Sequence, residues 1–491
     1  MYDVLIIGAG VTGASIARRL SRYKLNIAIL EKENDVSMGA SKANSAIIHG
    51  GYAESNKELR GRLCYPGRIE FKELDNELNF GFLENGSLVI AFDEDDENEL
   101  KRLYQQGLEN KLDDMEILNQ KQLRELEPNI SEKAISALYC KKAGVCSPYE
   151  YVIALVENAV DNGAKLFLKS EVTSITKNED SFKVTTGNGK VFQAKYVVNA
   201  SGLNGAKVSK LISQTNFDIY PRSGEYLLMQ KGSGSKLNTV VFQTPTKKSK
   251  GILVTRTYHN NLLLGPDAID SEETDADTHL ERLGIIFRDA QKSVKDNVLN
   301  INEFIRSFAG LRPVSSTGDY IIENTNVDGF INVVGIQSPG ITSSPAIAKM
   351  VEEILISCGI KLENDPYYNP YRRPIIKYKD LEDFNKIKYK VNYELGNPDR
   401  LVCRCEQVSE KTIRDAMNRS IPCETVDALK RRSRAGMGFC QGSFCKKRVI
   451  EVMEDELGRK LESTETDIEH FGINRVMKKD ILDYLKEKQE E

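Results

Sequence analysis

The chain opens on an unbroken apolar run, Val4-Leu5-Ile6-Ile7, the pattern of a strand buried on both faces of a parallel sheet. Helical periodicity follows from Ala14 to Tyr23, and Ile27 to Leu30 forms a second apolar run ending at Glu31. Between strand and helix lies Gly8-Ala9-Gly10-Val11-Thr12-Gly13, so the first thirty-odd residues predict a βαβ unit. From about Glu70 to Lys165, polar amphipathic helices mix with short strands. Tyr151 to Val160 predicts a helix and Lys165 to Ile175 a strand pair. Phe192 to Asn199 reads as a strand ending in the turn Asn199-Ala200-Ser201-Gly202. From Phe217 to Leu264 apolar and polar positions alternate, predicting antiparallel strands in a separate sheet that roofs a substrate pocket. Gly329 to Gly335 is a last buried strand, followed by Ile336-Gln337-Ser338-Pro339-Gly340-Ile341-Thr342-Ser343-Ser344-Pro345 and a helix through about Ile356.

Beyond that helix the pattern dissolves. Glu363 to Arg400 is rich in Tyr, Pro, Lys and Asp without clean periodicity, and reads as a linker. Four clustered cysteines occupy Leu401 to Cys445, and a charged helical stretch runs to Glu491. The expected division is residues 1–362, 363–400 (linker), 401–450 and 451–491 (charged tail). A chain of 491 residues exceeds the roughly 250–300 over which one core keeps growing, which agrees with several domains.

Composition narrows the class. The formal net charge of −4 gives no reason to propose a nucleic-acid partner. Met1 leads almost directly into the first strand with no basic segment or cleavage site, and no apolar run approaches the ~20 residues needed to span a bilayer. The reading is cytoplasmic, with a peripheral membrane contact left open. Nine cysteines in such a chain argue against a disulfide framework. Cys64, Cys140, Cys146, Cys358 and Cys423 stand alone and read as small buried hydrophobes.

The glycine turn is where chemistry enters. Its glycines permit a tight turn and close backbone approach, and the helix N-terminus attracts pyrophosphate. Glu31, about 20 residues on, is placed to accept hydrogen bonds from ribose hydroxyls. With one dinucleotide loop and no CxxC redox pair beside it, the chain suits flavin better than nicotinamide. The small and hydroxyl residues within Gly39 to Gly51 suit a loop along a pyrophosphate and flavin edge. His49, flanked by Gly50 and Gly51, is one of only four histidines and a candidate base for a hydroxyl proton near pH 7; a purely structural hydrogen bond is the alternative. Arg312 sits within the apolar segment Phe308 to Val314, where a guanidinium needs an anion; a substrate carboxylate or phosphate competes with an internal salt bridge. Lys250 lies in the polar run Thr246 to Lys250, equally suited to ligand or solvent.

Cys403-Arg404-Cys405 and Cys440-Gln441-Gly442-Ser443-Phe444-Cys445 form a second centre, with spacing that serves [2Fe–2S] or zinc. Gly436 and Gly438 just before the second pair would let backbone N–H groups approach cluster sulfurs.

These motifs carry a family resemblance. The opening fingerprint, Asn44-Ser45 with His49-Gly50-Gly51, Gly310-Leu311-Arg312-Pro313 and Ser338-Pro339-Gly340 resemble the D-amino-acid-oxidase-like flavoproteins over about residues 1–360. Within them the chain is most similar to the type II glycerol-3-phosphate oxidases and dehydrogenases, with L-2-hydroxyglutarate oxidases close behind. Leu401 to Val408 with Lys430 to Gly438 resembles the bacterioferritin-associated ferredoxin-like domain, which binds [2Fe–2S]. The resemblance implies an α/β fold: a Rossmann-like FAD-binding domain, an antiparallel-sheet substrate domain and a small C-terminal helical [2Fe–2S] domain. It implies FAD held by Gly8, Gly10, Gly13, Glu31, Lys32, Ser41, Asn44, Ser45, Val172, Ala200, Gly202, Gly335, Gly340, Ile341 and Thr342. His49 would be the base while hydride passes to flavin. Arg312 and Lys250 would grip a small anionic substrate, and Tyr226 and Ser338 would line its pocket. Cys403, Cys405, Cys440 and Cys445 would hold the cluster. The implied activity is FAD-dependent oxidation of sn-glycerol 3-phosphate to dihydroxyacetone phosphate, with electrons leaving through the cluster to a flavoprotein or quinone-linked partner subunit. The rival readings are an L-2-hydroxyglutarate or other 2-hydroxy- or amino-acid dehydrogenase, and an electron-transfer flavoprotein subunit.

Overall fold

The opening strand Tyr2–Ile7 lies at the centre of an eight-stranded sheet, and its last four residues are almost completely buried; Leu5 and Ile7 share a core with Val172, Ile175, Phe182 and Val184. It pairs in parallel with Ile27–Leu30 on one side and Val191–Asn199 on the other. The helix Val11–Leu20 follows the glycine turn and packs against helices Pro148–Asp161 and Gly340–Ser357. This is the predicted βαβ unit, and the late helix returns beside it. The computed structural model describes residues 1–245, 251–271, 276–376, 388–466 and 475–490.

The expected strand pair within Lys165 to Ile175 is not a hairpin. Lys165–Phe167 adds in parallel to Ile27–Leu30 at one edge, whereas Val172–Lys177 pairs antiparallel with Phe182–Thr186 near the other. Leu168 to Glu171 carries the chain between the two edges.

The second large sheet has nine strands. Its spine is a long antiparallel pair, Ile219–Lys231 against Phe304–Ser315, in register from Ile219 opposite Ser315 to Leu228 opposite Arg306. Val240–Gln243, Val254–Arg256 and Asn261–Leu264 continue it, as the alternation predicts. Ser87–Ala91, Met115–Asn119 and Ser136–Cys140, from the mixed region, extend it, Ser87–Ala91 joining Val240–Gln243 in parallel, and the short strand Ile269–Asp270 completes it beside Ile219–Lys231. The helix Leu280–Gln291 packs on this sheet over a core that includes Leu227, Val254, Leu264 and Ile286. The C-terminal helix Lys478–Glu490 joins that core through Ile481, which is fully buried, with Val476 and Leu485 packed alongside.

The chain divides into two compact units, residues 1–371 with 474–491, and residues 372–473. The smaller unit is built from helices Glu410–Met417, Val426–Ser433 and Lys446–Leu457 and a two-stranded ribbon, Leu401–Cys403 with Val408–Ser409. Ser409 and Thr425 cap the first two helices through their hydroxyl oxygens. Its core combines Val402, Ile413, Leu429, Val449 and Val452 with the buried thiols Cys403, Cys423 and Cys445. No helix among the described residues is long and apolar enough to cross a membrane.

Candidate active site and thiol centre

Two close approaches shape the first centre. Gly8 has φ +105°, and a Cβ there would lie 2.5 Å from the carbonyl oxygen of Ala200. A Cβ on Gly13 would lie 2.0 Å from the Gly8 carbonyl oxygen, so neither position tolerates a side chain. The Val11–Leu20 helix begins at Gly10, which has no side chain to cap it, so its positive end faces the ligand side. Ser41 reaches back so that its Oγ accepts from the Val11 N–H at 2.9 Å. At the end of Ile27–Leu30, Glu31 Oε2 accepts from Ala9 N–H at 2.8 Å and Oε1 from Glu33 N–H at 3.0 Å. Burial pushes the Glu31 carboxyl up, and those backbone N–H groups oppose the rise. Lys32 beside it is half-exposed and pairs with Glu33 at 2.7 Å. Val172 opens its strand, Ala200 and Gly202 close the turn after Val191–Asn199, and Gly335 follows the strand Phe330–Val334.

A cavity of about 400 Å³ runs from this cradle toward the second sheet. It brings Ser41, Asn44, Ser45, His49, Tyr226, Arg312, Ser338, Gly340 and Ile341 to one surface, although they come from four separated stretches. Lys250 lies outside the described residues. The N-terminus of Gly340–Ser357, also without a side-chain cap, lines the same wall. Thr342, fully buried, ties the loops together: its Oγ1 accepts from His49 N–H at 2.9 Å and donates to Ile47 C=O at 3.3 Å. The His49 ring then meets Ser338, with Nε2 to Oγ at 3.2 Å, and lies 6.1 Å from the Phe242 ring centroid.

On the opposite wall Arg312 donates from Nη2 to the backbone carbonyl of Asp267 at 3.1 Å. The Asp267 carboxylate is itself taken by Arg282, at 2.7 and 2.8 Å, so Arg312 has no carboxylate partner among the described residues. Tyr226, whose hydroxyl is pushed up by burial and drawn down by Arg312 and Ser45, stacks on Phe308 at 4.7 Å. Gly310 lets the Arg312 strand touch the Asn44 loop, because a Cβ there would fall 1.9 Å from the Ala43 carbonyl oxygen.

The structure adds residues with no separate signal in the sequence. Arg60, Arg222, Phe242 and Asp267 line the cavity. Behind the His49 loop, Arg68 forms a buried bidentate pair with Asp114 at 2.8 and 2.9 Å and donates to Cys140 Sγ at 3.1 Å. A Cβ on Gly50 would meet that sulfur at 2.7 Å, so the triad backs the loop directly. Burial pushes the Cys140 thiol up to about 12 and keeps it protonated at neutral pH.

The second centre lies within the smaller unit. Cys405 and Cys440 place their sulfurs 3.7 Å apart, and Cys445 donates a hydrogen bond to Cys403. That hydrogen bond, with the N–H groups of Gly436 and Glu406, draws Cys403 down to about 6 against burial, while Cys445 keeps the shared proton and is raised. A Cβ on Gly438 would lie 2.2 Å from Cys405 Cβ, so the glycine loop closes tightly on the first pair. Two thiolates on one tetrahedral metal with bonds of about 2.3 Å sit about 3.8 Å apart, matching the Cys405–Cys440 separation. No group of three or more His, Cys, Asp or Glu side chains among the described residues converges as for a single ion. Thiols in two close pairs suit a two-iron cluster, in which each iron takes two cysteines.

Comparison with known proteins gives these centres a family. The model described as FAD dependent oxidoreductase matches residues 3–354, and that of the BFD-like [2Fe-2S] binding domain matches residues 401–455. The chain belongs to the FAD dependent oxidoreductase family. It is 46% identical over 475 residues to the glycerol 3-phosphate dehydrogenase of Caloramator mitchellensis, covering 96% of this chain and 97% of that one. It is 31% identical to the glycerol 3-phosphate oxidase of Mycoplasma genitalium, over 75% of this chain and 97% of the relative. Among solved structures, dithionite-reduced L-alpha-glycerophosphate oxidase from Mycoplasma pneumoniae with FAD bound superposes with a TM-score of 0.72 at 28% identity, covering 76% of this chain and 99% of that chain. The protein is thus an FAD-dependent oxidoreductase carrying a [2Fe–2S]-binding domain. The cradle at Gly8, the uncapped helix at Gly10 and the adjoining cavity fit FAD, and the paired thiols fit the cluster.

Proposed function

We propose that the protein oxidises sn-glycerol 3-phosphate to dihydroxyacetone phosphate and delivers the electrons, through its iron–sulfur domain, to a separate acceptor. The observation that carries the substrate reading is Arg312: a cation in the cavity wall, held in place by a backbone carbonyl, with no described carboxylate to neutralise it. A guanidinium so placed favours a small dianion over a neutral alcohol. The dehydrogenase and oxidase relatives support the same choice.

FAD, held by Gly8, Gly10, Gly13, Glu31, Ser41, Asn44, Ser45, Ala200, Gly340, Ile341 and Thr342, supplies the two-electron acceptor for the substrate C2–H. The chain's own residues do the rest. Arg312 binds the phosphate and Tyr226 packs beside it. His49 Nε2 takes the proton of the C2 hydroxyl, with Ser338 Oγ orienting the ring and Thr342 fixing the backbone that carries it. Phe242 lies beside the imidazole, its ring centroid 6.1 Å away. The [2Fe–2S] cluster, held by Cys403, Cys405, Cys440 and Cys445, supplies a one-electron outlet.

Anaerobic addition of millimolar glycerol 3-phosphate should bleach the flavin band at once, and L-2-hydroxyglutarate should not. Bleaching by L-2-hydroxyglutarate alone would reassign the substrate, and bleaching by neither would leave the flavin to be reduced by a partner.

A further inference from the structure

The outlet has a surface of its own. Cys403 and Cys445 are buried, whereas Cys405 and Cys440 are only half-buried, so one pair of sulfurs lies nearer solvent. In the loop that carries Cys440, two of the most exposed aromatic side chains of the described residues adjoin cluster thiols, Phe439 beside Cys440 at 63% and Phe444 beside Cys445 at 79%. Among the described residues neither stacks on another ring, and neither is in the core of its unit. An isolated surface phenylalanine is ordinary, but two beside redox sulfurs mark a contact face.

Charge says what covers it. Residues 428–450 contain seven Lys or Arg and no Asp or Glu. The inner cations are buried, and among them Arg434 is engaged with Glu406. Arg404 and Lys447, at the rim, are exposed and make no described ion pair. An apolar centre ringed by cations complements an apolar patch ringed by carboxylates.

We infer that Phe439 and Phe444, with the rim of Arg404 and Lys447, form the docking face for an acidic one-electron carrier protein. This rests on the proposed electron export. Two such carriers accept the two electrons released per substrate, one each, and the two protons leave to solvent. The glycines at 436, 438 and 442 allow close backbone packing, leaving the phenylalanines as the face's main apolar contacts.

The test uses the full-length holoenzyme with oxidised rubredoxin as a strongly acidic one-electron probe and cytochrome c as a basic one. Rubredoxin reduction by substrate should fall about tenfold from low to roughly 0.3 M salt, and cytochrome c reduction should not fall. The double variant F439S/F444S should lose about tenfold in rubredoxin reduction and in rubredoxin binding by titration, and K447E should steepen that loss. Both variants should keep the wild-type cluster spectrum and substrate bleaching of flavin. Unchanged rubredoxin binding and reduction in the double variant would overturn the inference. So would slowed cluster reduction by substrate, which would make the larger unit the occupant, or loss of binding to anionic phospholipid vesicles without loss of rubredoxin reduction. Absence of flavin bleaching in the parent protein would instead defeat the proposed reaction, and the binding titration would still report on the face.

Discussion

The two units solve the problem of holding a redox group in opposite ways. In the larger unit the cradle is mostly backbone: glycines pressed against carbonyls, two uncapped helix starts, and one carboxylate at the end of a strand. The side chains that do chemistry arrive separately, on long strands and loops far apart in sequence. In the smaller unit four thiols are placed to do the holding, and a small helical body is braced by charge. Arg414 bridges Glu410, Asp455 and Glu456, Arg400 pairs with Glu410 and Glu451, and Arg434 with Glu406. A backbone cradle tolerates loss of a single side chain, whereas a four-thiol site does not.

That contrast predicts a steep asymmetry. C405S should abolish the cluster's visible and EPR signals and stop reduction of a protein acceptor, yet leave flavin content and anaerobic bleaching intact. Loss of flavin in the same variant would show that the two units are not independent. Next in size, H49N should slow flavin reduction by about 10²–10⁴, the usual cost of removing a general base, with the flavin spectrum retained. A loss under threefold would return His49 to a structural role.

Behind that histidine, D114N leaves Arg68 buried without its charge partner and should cost about 3–5 kcal/mol in chemical denaturation at neutral pH. Burial pushes the Asp114 carboxyl up, but Arg68, the Lys142 N–H and Cys140 together hold it below its ordinary value. A depressed carboxyl stabilises the fold above its unfolded value near 3.9 and loses that contribution as pH falls below it. The gap between wild type and D114N should therefore persist from pH 7 to 5 and close only below about pH 4. The smallest effect falls on the C-terminal helix, where I481A empties a fully buried position and should cost about 2–4 kcal/mol. That loss should appear in the unfolding of the larger unit, with the cluster spectrum unchanged.

Much of this architecture is legible because local pattern and local role coincide. A buried strand, three spaced glycines and an acid announce the first cradle, and Ser338-Pro339-Gly340 ahead of an apolar helix announces its counterpart. The cysteine spacing declares the second centre. What is not legible depends on non-local pairing. Nothing in Ser87–Ala91 says that it will lie parallel to Val240–Gln243, and the strand pair read in Lys165 to Ile175 is two strands whose separation to opposite sides of the sheet the sequence cannot show. His49 meets Ser338 across 289 positions. Arg68, Asp114 and Cys140 carry no motif, and burial alone makes them a unit. In the charged stretch near the C-terminus, Ile481, Tyr484 and Leu485 follow helical spacing, but the surrounding lysines and glutamates mask that face.

The most direct measurement is an anaerobic stopped-flow record of flavin absorbance after glycerol 3-phosphate is added, with freeze-quenched EPR of the same samples. The account predicts that the flavin band bleaches first and a reduced [2Fe–2S] signal then grows, before any acceptor is present. A bleached flavin beside a cluster that stays oxidised would contradict it.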